Sequence, residues 1–361
     1  MRVRKRAPAK TPKSFATRLL RWFDRHGRKD LPWQHPRSPY RVWLAEVMLQ
    51  QTQVSTVIPY FLRFVEKFPS LPALACASLD DVLALWSGLG YYSRARNLHR
   101  AARICVEHHA GTLPREFDAL AALPGIGRST AGAILAQAHG LRFPILDGNV
   151  RRVLARYHGV RGWPGSARVQ SRLWRLAGDH TPRTRIADYT QAIMDLGATV
   201  CTRARPACAR CPFAHDCVAH RDNLTAQLPQ RKPARPVPTR RTIMLLLRDP
   251  AGRVLFERRP PRGVWAELWS LPEAEGMPAA RKTAAQVQTH RSGAIEFRPL
   301  APFVHTFSHF HLDVTPLAVD LARAARIGDD DGRRWLHLQE ALRLGLPAPV
   351  RKLLENLPEE F

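Results

Sequence analysis

Four of the six cysteines lie close together just past the middle of the chain, where they could hold a metal group. Their spacing is C-x6-C-x2-C-x5-C, at Cys201, Cys208, Cys211 and Cys217. Structural zinc sites usually draw their ligands from two separated pairs, whereas this run has one close pair between wider gaps. Iron–sulfur clusters are held by thiolates, which this run supplies. The pattern therefore favours an iron–sulfur cluster in the loop at residues 201–217, with zinc as the alternative.

The cysteine loop also carries basic side chains, and the other two cysteines lie elsewhere. Arg203, Arg205 and Arg210 stand among the thiols, which indicates that a metal here would hold a basic surface against phosphate groups. Cys76 and Cys105 fall in helical patterns and are expected to be packing residues. Because we find no secretory signal, we expect a reducing compartment, where metal binding is favoured over disulfide formation.

Two glycines separate two predicted helices within residues 123–131. Gly125 and Gly127 allow a tight turn that brings backbone N–H groups close to an anion, and the next helix presents its positive N-terminus. A hairpin of this kind grips a phosphate without reading the base sequence. An ordinary turn between helices is the alternative interpretation, and the basic charge of the chain favours phosphate binding.

Two carboxylates stand out by their positions, although each also has an ordinary structural explanation. Glu46 lies within an apolar helical pattern, where most glutamates are merely solvated, and Asp147 lies at a helix start, where aspartate is a common N-cap. A carboxylate among apolar groups has a raised pKa and stays protonated, whereas one at a helix N-terminus is expected to stay ionised. Cleavage of a glycosidic bond uses such a pair, an acid for the leaving group and an anion for the cationic sugar.

The net charge of the chain is +26, with 56 Lys and Arg against 30 Asp and Glu. A genome rich in G and C inflates arginine but gives no reason to suppress acidic residues, so the charge points to nucleic acid as the partner. No apolar run approaches the length needed to cross a bilayer. We expect a soluble, cytoplasmic protein that acts at the bacterial nucleoid as a monomer, without a membrane partner.

Helical periodicity runs without a strand pattern from Ser14, which is expected to cap the first helix, to about Arg221. This part is therefore predicted to be all-α. The predicted helices include residues 39–52, 79–86, 93–109, 116–122, 129–139, 149–159, 169–177 and 186–200. Ser78 is expected to cap the helix at residues 79–86, in a start that is similar to a capping box. Residues 1–13 are basic and contain proline, which predicts a disordered tail.

The composition changes at residue 223, where a second region begins. Prolines among Arg and Lys indicate a semi-rigid linker at residues 223–241. Beyond it, alternation predicts strands at residues 242–247, 253–257, 295–297, 305–307 and 311–317, and helices at residues 338–344 and 350–357. The chain is thus predicted to hold a helical domain at residues 14–222 and an α+β domain at residues 242–361.

Several segments together resemble the MutY-type adenine DNA glycosylases of the helix–hairpin–helix superfamily, which includes endonuclease III. The resemblance covers residues 14–221 without a break in motif order, and the cysteine spacing is also similar. It rests on LPWQ (31–34), AEVMLQQT (45–52), GLGYY (88–92), the glycine hairpin and LDGN (146–149). The resemblance implies a [4Fe–4S] cluster and the excision of adenine opposite 8-oxoguanine or guanine in double-stranded DNA.

The resemblance also implies roles for individual residues. Glu46 matches the acid that protonates N7 of a flipped-out adenine, Asp147 the carboxylate that stabilises the oxocarbenium-like sugar and helps deliver water, and Asn149 a residue that orients this chemistry. Gln51 and Tyr91 match residues that fill or wedge the gap left by the extruded base. The other implied contacts are Trp33 and Leu49 in the substrate pocket, and Thr52, Leu89, Gly125, Gly127, Ser129, Arg203 and Arg205 on the DNA.

Position 129 distinguishes two enzyme classes. Endonuclease III-type enzymes carry a lysine in this hairpin that attacks the sugar and forms a Schiff base, which permits strand cleavage. This chain has Ser129, where many MutY proteins have tyrosine, so the resemblance implies a monofunctional hydrolase that uses water. Some relatives also carry a pocket glutamate where this chain has Gln191. The alternatives are a bifunctional glycosylase-lyase for oxidised pyrimidines and a non-enzymatic iron–sulfur DNA-binding module.

The second domain resembles the Nudix fold but lacks the acidic Nudix box. The segment GVWAELW at residues 263–269 is not followed by the Arg-Glu-x-x-Glu-Glu run that holds magnesium. The domain is therefore predicted to read a lesion rather than to hydrolyse a pyrophosphate. The segment HTFSH at residues 305–309 is similar to the family's loop for sensing 8-oxoguanine, which implicates Phe307, Ser308 and His309 in lesion recognition.

Overall fold

The structure is a computed structural model that describes residues 14–232, 236–288, 295–307, 309–324 and 332–357. The chain divides into two compact units, the first formed by residues 1–65 and 104–233 and the second by residues 66–103 and 234–361. No helix within the described stretches is long and apolar enough to cross a membrane.

The described residues up to 232 fold into helices without a strand, which confirms the all-α prediction. The helices are α1 (Phe15–His26), α2 (Pro39–Met48), α3 (Val54–Lys67), α4 (Leu71–Cys76), α5 (Leu79–Trp86), α6 (Ser93–His108), α7 (Phe117–Ala121), α8 (Arg128–His139), α9 (Gly148–Tyr157), α10 (Ala167–His180), α11 (Ile186–Asp195) and α12 (Val218–Arg221).

Serine side chains cap the starts of two helices, as the sequence predicts. Ser14 Oγ accepts a hydrogen bond from Thr17 N at 3.3 Å before α1, and Ser78 Oγ accepts one from Asp81 N at 3.1 Å before α5. Each cap satisfies a backbone N–H that has no partner inside its helix, which fixes where the helix begins.

Several details of the helical part differ from the prediction, among them the end of α2, which stops at Met48 instead of continuing to Thr52. The helices α3, whose interior contains Pro59, and α4 are not among the predicted ones. α11 ends at Asp195, and Leu196–Val200 forms a π-helical turn instead of continuing the helix. This turn packs Gly197 against Asn149, where an added Cβ would lie 2.5 Å from the Asn149 Cβ.

The two isolated cysteines differ in their surroundings. Cys105 is buried in α6, as expected for a packing residue. Cys76 is exposed, so the prediction that it is a packing residue is wrong. The reason is that α4 is a short helix whose buried side is formed by Leu71 and Leu74. Cys76 is its last residue and does not lie on that side.

The helices of the first unit place the predicted catalytic residues around a shared core. The core includes Leu19 of α1, Leu154 of α9, Leu173 of α10 and Ile193 of α11, all with 0–1 % of their surface exposed. α8 packs against both α2 and α11, while α9 packs against α10 and α11. The helix that carries Glu46 and the start of α9 are therefore held by neighbouring helices of one core.

The C-terminal half is built on one mixed sheet, which confirms the α+β prediction. Its described strands are β1 (Thr239–Arg248), β2 (Val254–Arg258), β3 (Trp269–Ser270), β4 (Glu273–Ala274), β5 (Arg298–Pro299), β6 (Phe303–Thr306), β7 (His311–Asp320) and β8 (Arg333–Leu336). Its described helices are α13 (Met277–Val287), α14 (Leu338–Ala341) and α15 (Ala348–Glu355). β1 and β7 pair in parallel along their full length, whereas the other described pairs are antiparallel.

Several boundaries in this half differ from the prediction. β1 begins at Thr239, so the last residues of the predicted linker pair with β7. Residues 295–297, predicted as a strand, form none, and pairing starts at β5. The prediction also omits α13. Alternating residues indicate an extended backbone, but whether a neighbouring strand is available to pair with it depends on the tertiary fold.

Residues 66–103 group with the C-terminal half, which differs from the predicted domain at residues 14–222. Arg96 Nη1 in α6 donates a hydrogen bond to Ala266 O at 2.7 Å. The Tyr92 hydroxyl, just before α6, donates one to Leu346 O at 2.9 Å. These contacts join segments that are far apart in the sequence, so helical periodicity could not predict them.

Candidate active site

A cleft of about 1150 Å³ in the first unit brings together most of the predicted catalytic and pocket residues. Its lining includes Trp33, Glu46, Leu49, Gln51, Thr52, Ser129, Asp147, Asn149, Gln191 and Arg203. Pockets for small molecules usually measure roughly 300–1,000 Å³, so this cleft has room for a nucleobase together with its sugar.

Glu46 projects from α2 into the cleft and is held by a neighbour on α8. Gln137 Nε2 donates a hydrogen bond to Glu46 Oε1 at 2.9 Å, and the Gln137 side chain is itself buried. Burial, together with the nearby charge of Asp147, raises the pKa of Glu46 to about 7, while the bond from Gln137 opposes this rise. A large share of Glu46 is therefore protonated at neutral pH. Nothing in the sequence marks Gln137, which lies 91 residues away.

Asp147 is the N-cap of α9. Its Oδ1 accepts a hydrogen bond from Val150 N at 2.8 Å. Burial raises the pKa of Asp147, although the N–H groups of Val150 and Asn149 and the charge of Arg152 oppose this rise. The direction is opposite to that expected from a helix N-terminus alone, because removal from water outweighs the helix amides. The charge of Asp147 in turn raises the pKa of Glu46.

Asn149 connects the carboxylate to a second group of hydrogen bonds. Its Nδ2 donates to Asp147 Oδ2 at 3.2 Å, and its Oδ1 accepts from Arg152 Nη2 at 2.8 Å. Arg152 also donates to the backbone oxygens of Gly197 and Cys201, each at 2.7 Å. Arg152 therefore links this end of the cleft to the start of the cysteine loop. Arg152 is not among the predicted site residues, although its i,i+3 spacing from Asn149 on a helix is a usable signal.

The glycine hairpin leads directly into α8. Gly125 has φ +78°, a conformation that favours glycine, and Gly127 is the N-cap of α8 without a side-chain cap. Both glycines are exposed, so the first amides of α8 are available to an anion. Ser129 Oγ accepts a hydrogen bond from Leu146 N at 2.9 Å, which ties the hairpin to the residue before Asp147.

Gln51 and Thr52 follow the end of α2 and line the cleft. Gln51 is exposed and has φ +62°, an uncommon value for a residue with a side chain and one that often marks functional sites. Trp33 is buried and packs edge-on against Phe61, with ring centroids 5.4 Å apart. The cleft thus combines a fixed aromatic wall with an exposed polar side chain.

Gln191 also lines the cleft. It is buried, and its Nε2 donates a hydrogen bond to Asp195 Oδ1 at 2.8 Å. Asp195 is in turn paired with Arg28 at 2.6 Å. Gln191 therefore belongs to a buried network of side chains beside the carboxylates.

Leu89 and Tyr91, also predicted to contact DNA, lie in the second unit. We call residues 88–91 the wedge loop. Tyr91 is 50 % exposed and has φ +49°, whereas the Leu89 side chain is buried. Arg94 Nη2 donates to Leu89 O at 3.1 Å and to Gly90 O at 3.0 Å, and its guanidinium lies 5.6 Å from the centre of the Tyr91 ring. The wedge loop therefore exposes the Tyr91 ring to solvent and buries the Leu89 side chain.

The four predicted cysteine ligands line one cavity in the first unit. Burial raises the pKa of Cys208, Cys211 and Cys217, and the neighbouring thiols raise it further. Arg156 Nη1 donates to Cys201 Sγ at 3.4 Å. Within the described stretches, no group of three or more His, Cys, Asp or Glu side chains is arranged to hold a metal ion. The residue types, four thiols lining one cavity with a cation beside one of them, are those that a tetrathiolate cluster uses, although the side chains are not in the positions of ligands.

The cysteine loop is anchored by Arg156, a buried arginine of α9, and exposes the arginines of its own sequence. Arg156 donates to Thr202 O at 2.7 Å, to Arg203 O at 3.0 Å and to Leu228 O at 2.8 Å. Arg203 and Arg205 are exposed. The loop thus offers the cations of Arg203, Arg205 and Arg210 to solvent, from a backbone that Arg156 of α9 holds in place.

The predicted lesion loop is described in part, because Ser308 lies outside the described residues. Phe307 N donates to Phe310 O at 2.9 Å. The Phe307 ring lies 4.6 Å from that of His305 and 5.2 Å from that of Trp265, centroid to centroid. His309 is exposed. Phe307 is therefore part of an aromatic cluster, which the sequence alone does not reveal.

Comparison with known proteins gives matches to both halves of the chain. Residues 44–178 match the HhH-GPD superfamily of base excision DNA repair proteins, and residues 243–356 match the NUDIX domain. The chain is 35% identical over 352 residues to the adenine DNA glycosylase of Buchnera aphidicola subsp. Acyrthosiphon pisum, covering 96% of this chain and 98% of that protein. It is 34% identical to the adenine DNA glycosylase of Homo sapiens, covering 94% of this chain and 73% of that protein.

Solved structures share the fold of part of the chain. A thermostable thymine-DNA glycosylase has a TM-score of 0.53 at 27% identity and covers 58% of this chain and 95% of its own. Endonuclease III in a non-covalent complex with DNA has a TM-score of 0.50 at 21% identity and also covers 58% of this chain, with 94% of its own. The predicted glycosylase fold and the predicted Nudix-like fold are both confirmed.

Proposed function

Because the chain belongs to the adenine DNA glycosylase family, a group of base-excision repair enzymes, we propose that it hydrolyses the N-glycosidic bond of adenine mispaired with 8-oxoguanine or guanine in double-stranded DNA. The observation that carries this proposal is a pair of carboxyls in one cleft. Glu46 has a pKa of about 7, and Asp147 caps α9 beside it. Such a pair can supply an acid and an anion at the same pH.

Glu46 acts as the general acid. Its protonated carboxyl donates a proton to N7 of the flipped-out adenine, so the bond between C1′ and N9 breaks and its electron pair leaves with a neutral base. A pKa near the working pH suits this role, because the group must be protonated and yet able to release its proton. The hydrogen bond from Gln137 fixes Oε1 of Glu46 and leaves Oε2 for the substrate.

Asp147 stabilises the cationic sugar that remains. Its ionised carboxylate faces the oxocarbenium-like C1′, and a water molecule adds there while losing a proton to a carboxylate of the pair. Asn149 fixes one oxygen of Asp147 through its Nδ2. The products are free adenine and an abasic site, and no bond forms between the enzyme and the DNA.

The hairpin supports a monofunctional reaction. Ser129 occupies the position where a lysine would be needed to attack the sugar carbon, and its Oγ is engaged with Leu146 N. We therefore propose that the enzyme releases adenine without cutting the strand.

The DNA must be gripped and the adenine extruded before this chemistry can occur. Gly125 and Gly127 supply backbone amides for a phosphate, and Arg203 and Arg205 supply exposed cations. Gln51 and Tyr91 fill the space that the base vacates, and both residues have the positive φ of a fixed turn. Thr52 lies next to Gln51 on the same rim.

We also propose that Cys201, Cys208, Cys211 and Cys217 hold a [4Fe–4S] cluster. When bound, the cluster supplies iron–thiolate bonds that hold the loop together. Arg156 and Arg152 connect this loop to α9, so the loop's order supports the position of Asn149.

The C-terminal Nudix-like region is proposed to read the base opposite adenine. Undamaged A:T pairs greatly outnumber mispairs, so adenine alone is an insufficient signal. Phe307, Ser308 and His309 are the candidate residues for this reading. We keep the sequence-based division into a glycosylase domain (14–222), a linker (223–241) and a lesion-reading domain (242–361) as a proposal, with a monomer acting at the nucleoid in the cytoplasm.

Adenine release tests the proposed function directly. The purified protein is incubated with A:8-oxoguanine, A:G and A:T duplexes, and free adenine and strand breaks are measured separately. We expect release from the first two duplexes, none from A:T, and strand breaks only after alkaline cleavage of the abasic site. Release of an oxidised pyrimidine with strand scission would instead support a glycosylase-lyase.

A further inference from the structure

The turn at residues 265–267 lies between the aromatic cluster around Phe307 and the start of α6, both in the second unit. The proposed function gives Phe307 a role in lesion reading and the wedge loop before α6 a role in base extrusion. Trp265 has φ +55° and Glu267 has φ +60°, although neither residue is a glycine. Such conformations are strained for a residue with a side chain and persist where the surroundings hold them, often at functional sites. The turn therefore has a fixed shape that its neighbours on both sides maintain.

On one side, the turn contacts the aromatic cluster around Phe307. The Trp265 ring, which is 8 % exposed, lies 5.2 Å from that of Phe307 and 5.5 Å from that of His305, centroid to centroid. Phe307 also stacks on Phe310 at 4.6 Å. Because the rings are packed on one another, a displacement of Phe307 toward the turn moves Trp265.

On the other side, the turn is bonded to the helix that begins just after the wedge loop. Arg96 Nη1 donates to Ala266 O at 2.7 Å, and Arg96 Nε lies 3.5 Å from Glu267 Oε2. Both Arg96 and Arg94 lie in the first turn of α6. Arg94 in turn holds Leu89 O and Gly90 O and lies against the Tyr91 ring.

We infer that Arg96 and Trp265 are positioning residues that couple the aromatic cluster around Phe307 to the wedge loop. The inference rests on the proposed roles of Phe307 in lesion reading and of Tyr91 in base extrusion. A base that displaces Phe307 shifts Trp265, the fixed turn passes the shift to Arg96, and the start of α6 carries it to the wedge loop. The partner base thereby influences how readily the opposite adenine is extruded.

Hydrogen–deuterium exchange in a double-mutant cycle tests this coupling in the full-length protein. The amides of residues 88–92 are followed in the wild type, Phe307→Ala, Arg96→Met and the double variant. We expect Phe307→Ala to speed exchange at residues 88–92 by several-fold in the wild-type background, and to have little further effect once Arg96 is replaced. Equal effects of Phe307→Ala in both backgrounds, or none in the wild type, would overturn the inference, because independent sites are additive.

Arg100→Met is the matched control. Arg100 lies one helical turn further along α6 and is exposed, and the contact described for its side chain is a hydrogen bond to Asn97. The substitution therefore removes the same charge as Arg96→Met without affecting the turn at residues 265–267. In this background the effect of Phe307→Ala is expected to persist in full. If Arg96→Met does not fold, Arg96→Lys and Trp265→Phe take its place, since each keeps part of one contact while weakening the coupling.

Adenine release on A:8-oxoguanine and A:G duplexes is measured on the same variants. We expect Arg96→Met to lower the preference for 8-oxoguanine, and Phe307→Ala to lower it no further in that background. If the wild type shows no preference, the proposed lesion specificity is wrong, and the exchange cycle still decides whether the two loops are coupled. Equal loss of release on both duplexes with additive exchange would show that Arg96 only supports the fold.

Discussion

Gln137 on α8 donates a hydrogen bond of 2.9 Å to Oε1 of Glu46 on α2. Gln137 is a neutral donor. Burial and the charge of Asp147 raise the pKa of the Glu46 carboxyl, which accepts this bond, to about 7. The bond favours the ionised form and so keeps the pKa from rising further. Gln137 therefore helps to set the pH at which Glu46 can act as an acid.

Gln137→Leu is expected to raise the pKa of Glu46 and to move the alkaline limb of adenine release to higher pH. The direction follows because protonated Glu46 is the active form, and a higher pKa keeps it protonated at a higher pH. Single-turnover release from A:8-oxoguanine duplex, measured between about pH 5 and pH 9, checks this. Gln191→Leu is the control, because it removes another buried glutamine of the same cleft that bonds to Asp195. An alkaline limb of the pH profile that moves equally in both variants would contradict the role of Gln137 in setting the pKa of Glu46.

Glu46→Gln should reduce adenine release by about 10²–10⁴-fold, the usual contribution of a general acid. Duplex binding should change little, because the amides of the hairpin and the arginines of the cysteine loop remain. Single-turnover release and duplex affinity at one salt concentration are the measurements. Near-normal release by this variant would show that another group protonates the base.

Asp147→Asn should reduce release by about 10²–10³-fold, because the cationic sugar loses its counter-charge. The amide oxygen can still cap α9 by accepting from Val150 N, so the fold should survive. Thermal unfolding of the variant is the control for that cap. A large loss of stability together with lost activity would mean that Asp147 acts mainly as an N-cap.

Ser129→Lys should create some covalent product that borohydride traps on the DNA, since an amine at the hairpin can attack the sugar carbon. The wild type should give none. Ser129→Ala separates this gain from the loss of the bond to Leu146 N, because it removes the same hydroxyl without adding an amine. Efficient trapping by the wild type would favour a glycosylase-lyase.

Replacing Cys201, Cys208, Cys211 or Cys217 by Ser should deplete iron, whereas Cys76→Ser and Cys105→Ser should not. Anaerobically purified wild type should be yellow-brown, with iron and sulfide near four each per chain, as a cubane requires. Iron, sulfide and zinc are assayed together with the visible spectrum. Stoichiometric zinc in a colourless protein would overturn the cluster assignment.

Ser308→Ala with His309→Ala should lower the preference for 8-oxoguanine over guanine by roughly 1–3 kcal/mol, the value of one or two base-edge contacts. The full-length chain is the appropriate sample, because residues 66–103 group with the C-terminal half. Thr306→Ala is a nearby control, since its hydroxyl is engaged with His311 Nδ1 at 3.1 Å. An unchanged preference in the double variant would show that other residues read the lesion.

The sequence by itself determined the classes of structure and the main chemical groups. Periodicity is a local property, so the all-α and α+β halves and the caps at Ser14 and Ser78 could be predicted from neighbouring residues. The cysteine run and the glycine hairpin are also local, because their function depends on spacing along the chain. Glu46 and Asp147 were recognisable from the motifs around them.

Only the tertiary structure decided what surrounds these groups. The contact of Gln137 with Glu46 joins residues 91 positions apart, and Arg152 reaches the cysteine loop from α9. The raised pKa of Asp147 comes from burial, which outweighs the helix amides that its position in the sequence suggests. The grouping of residues 66–103 with the C-terminal half likewise depends on contacts such as Arg96 with Ala266, because packing between distant segments leaves no periodic trace in either.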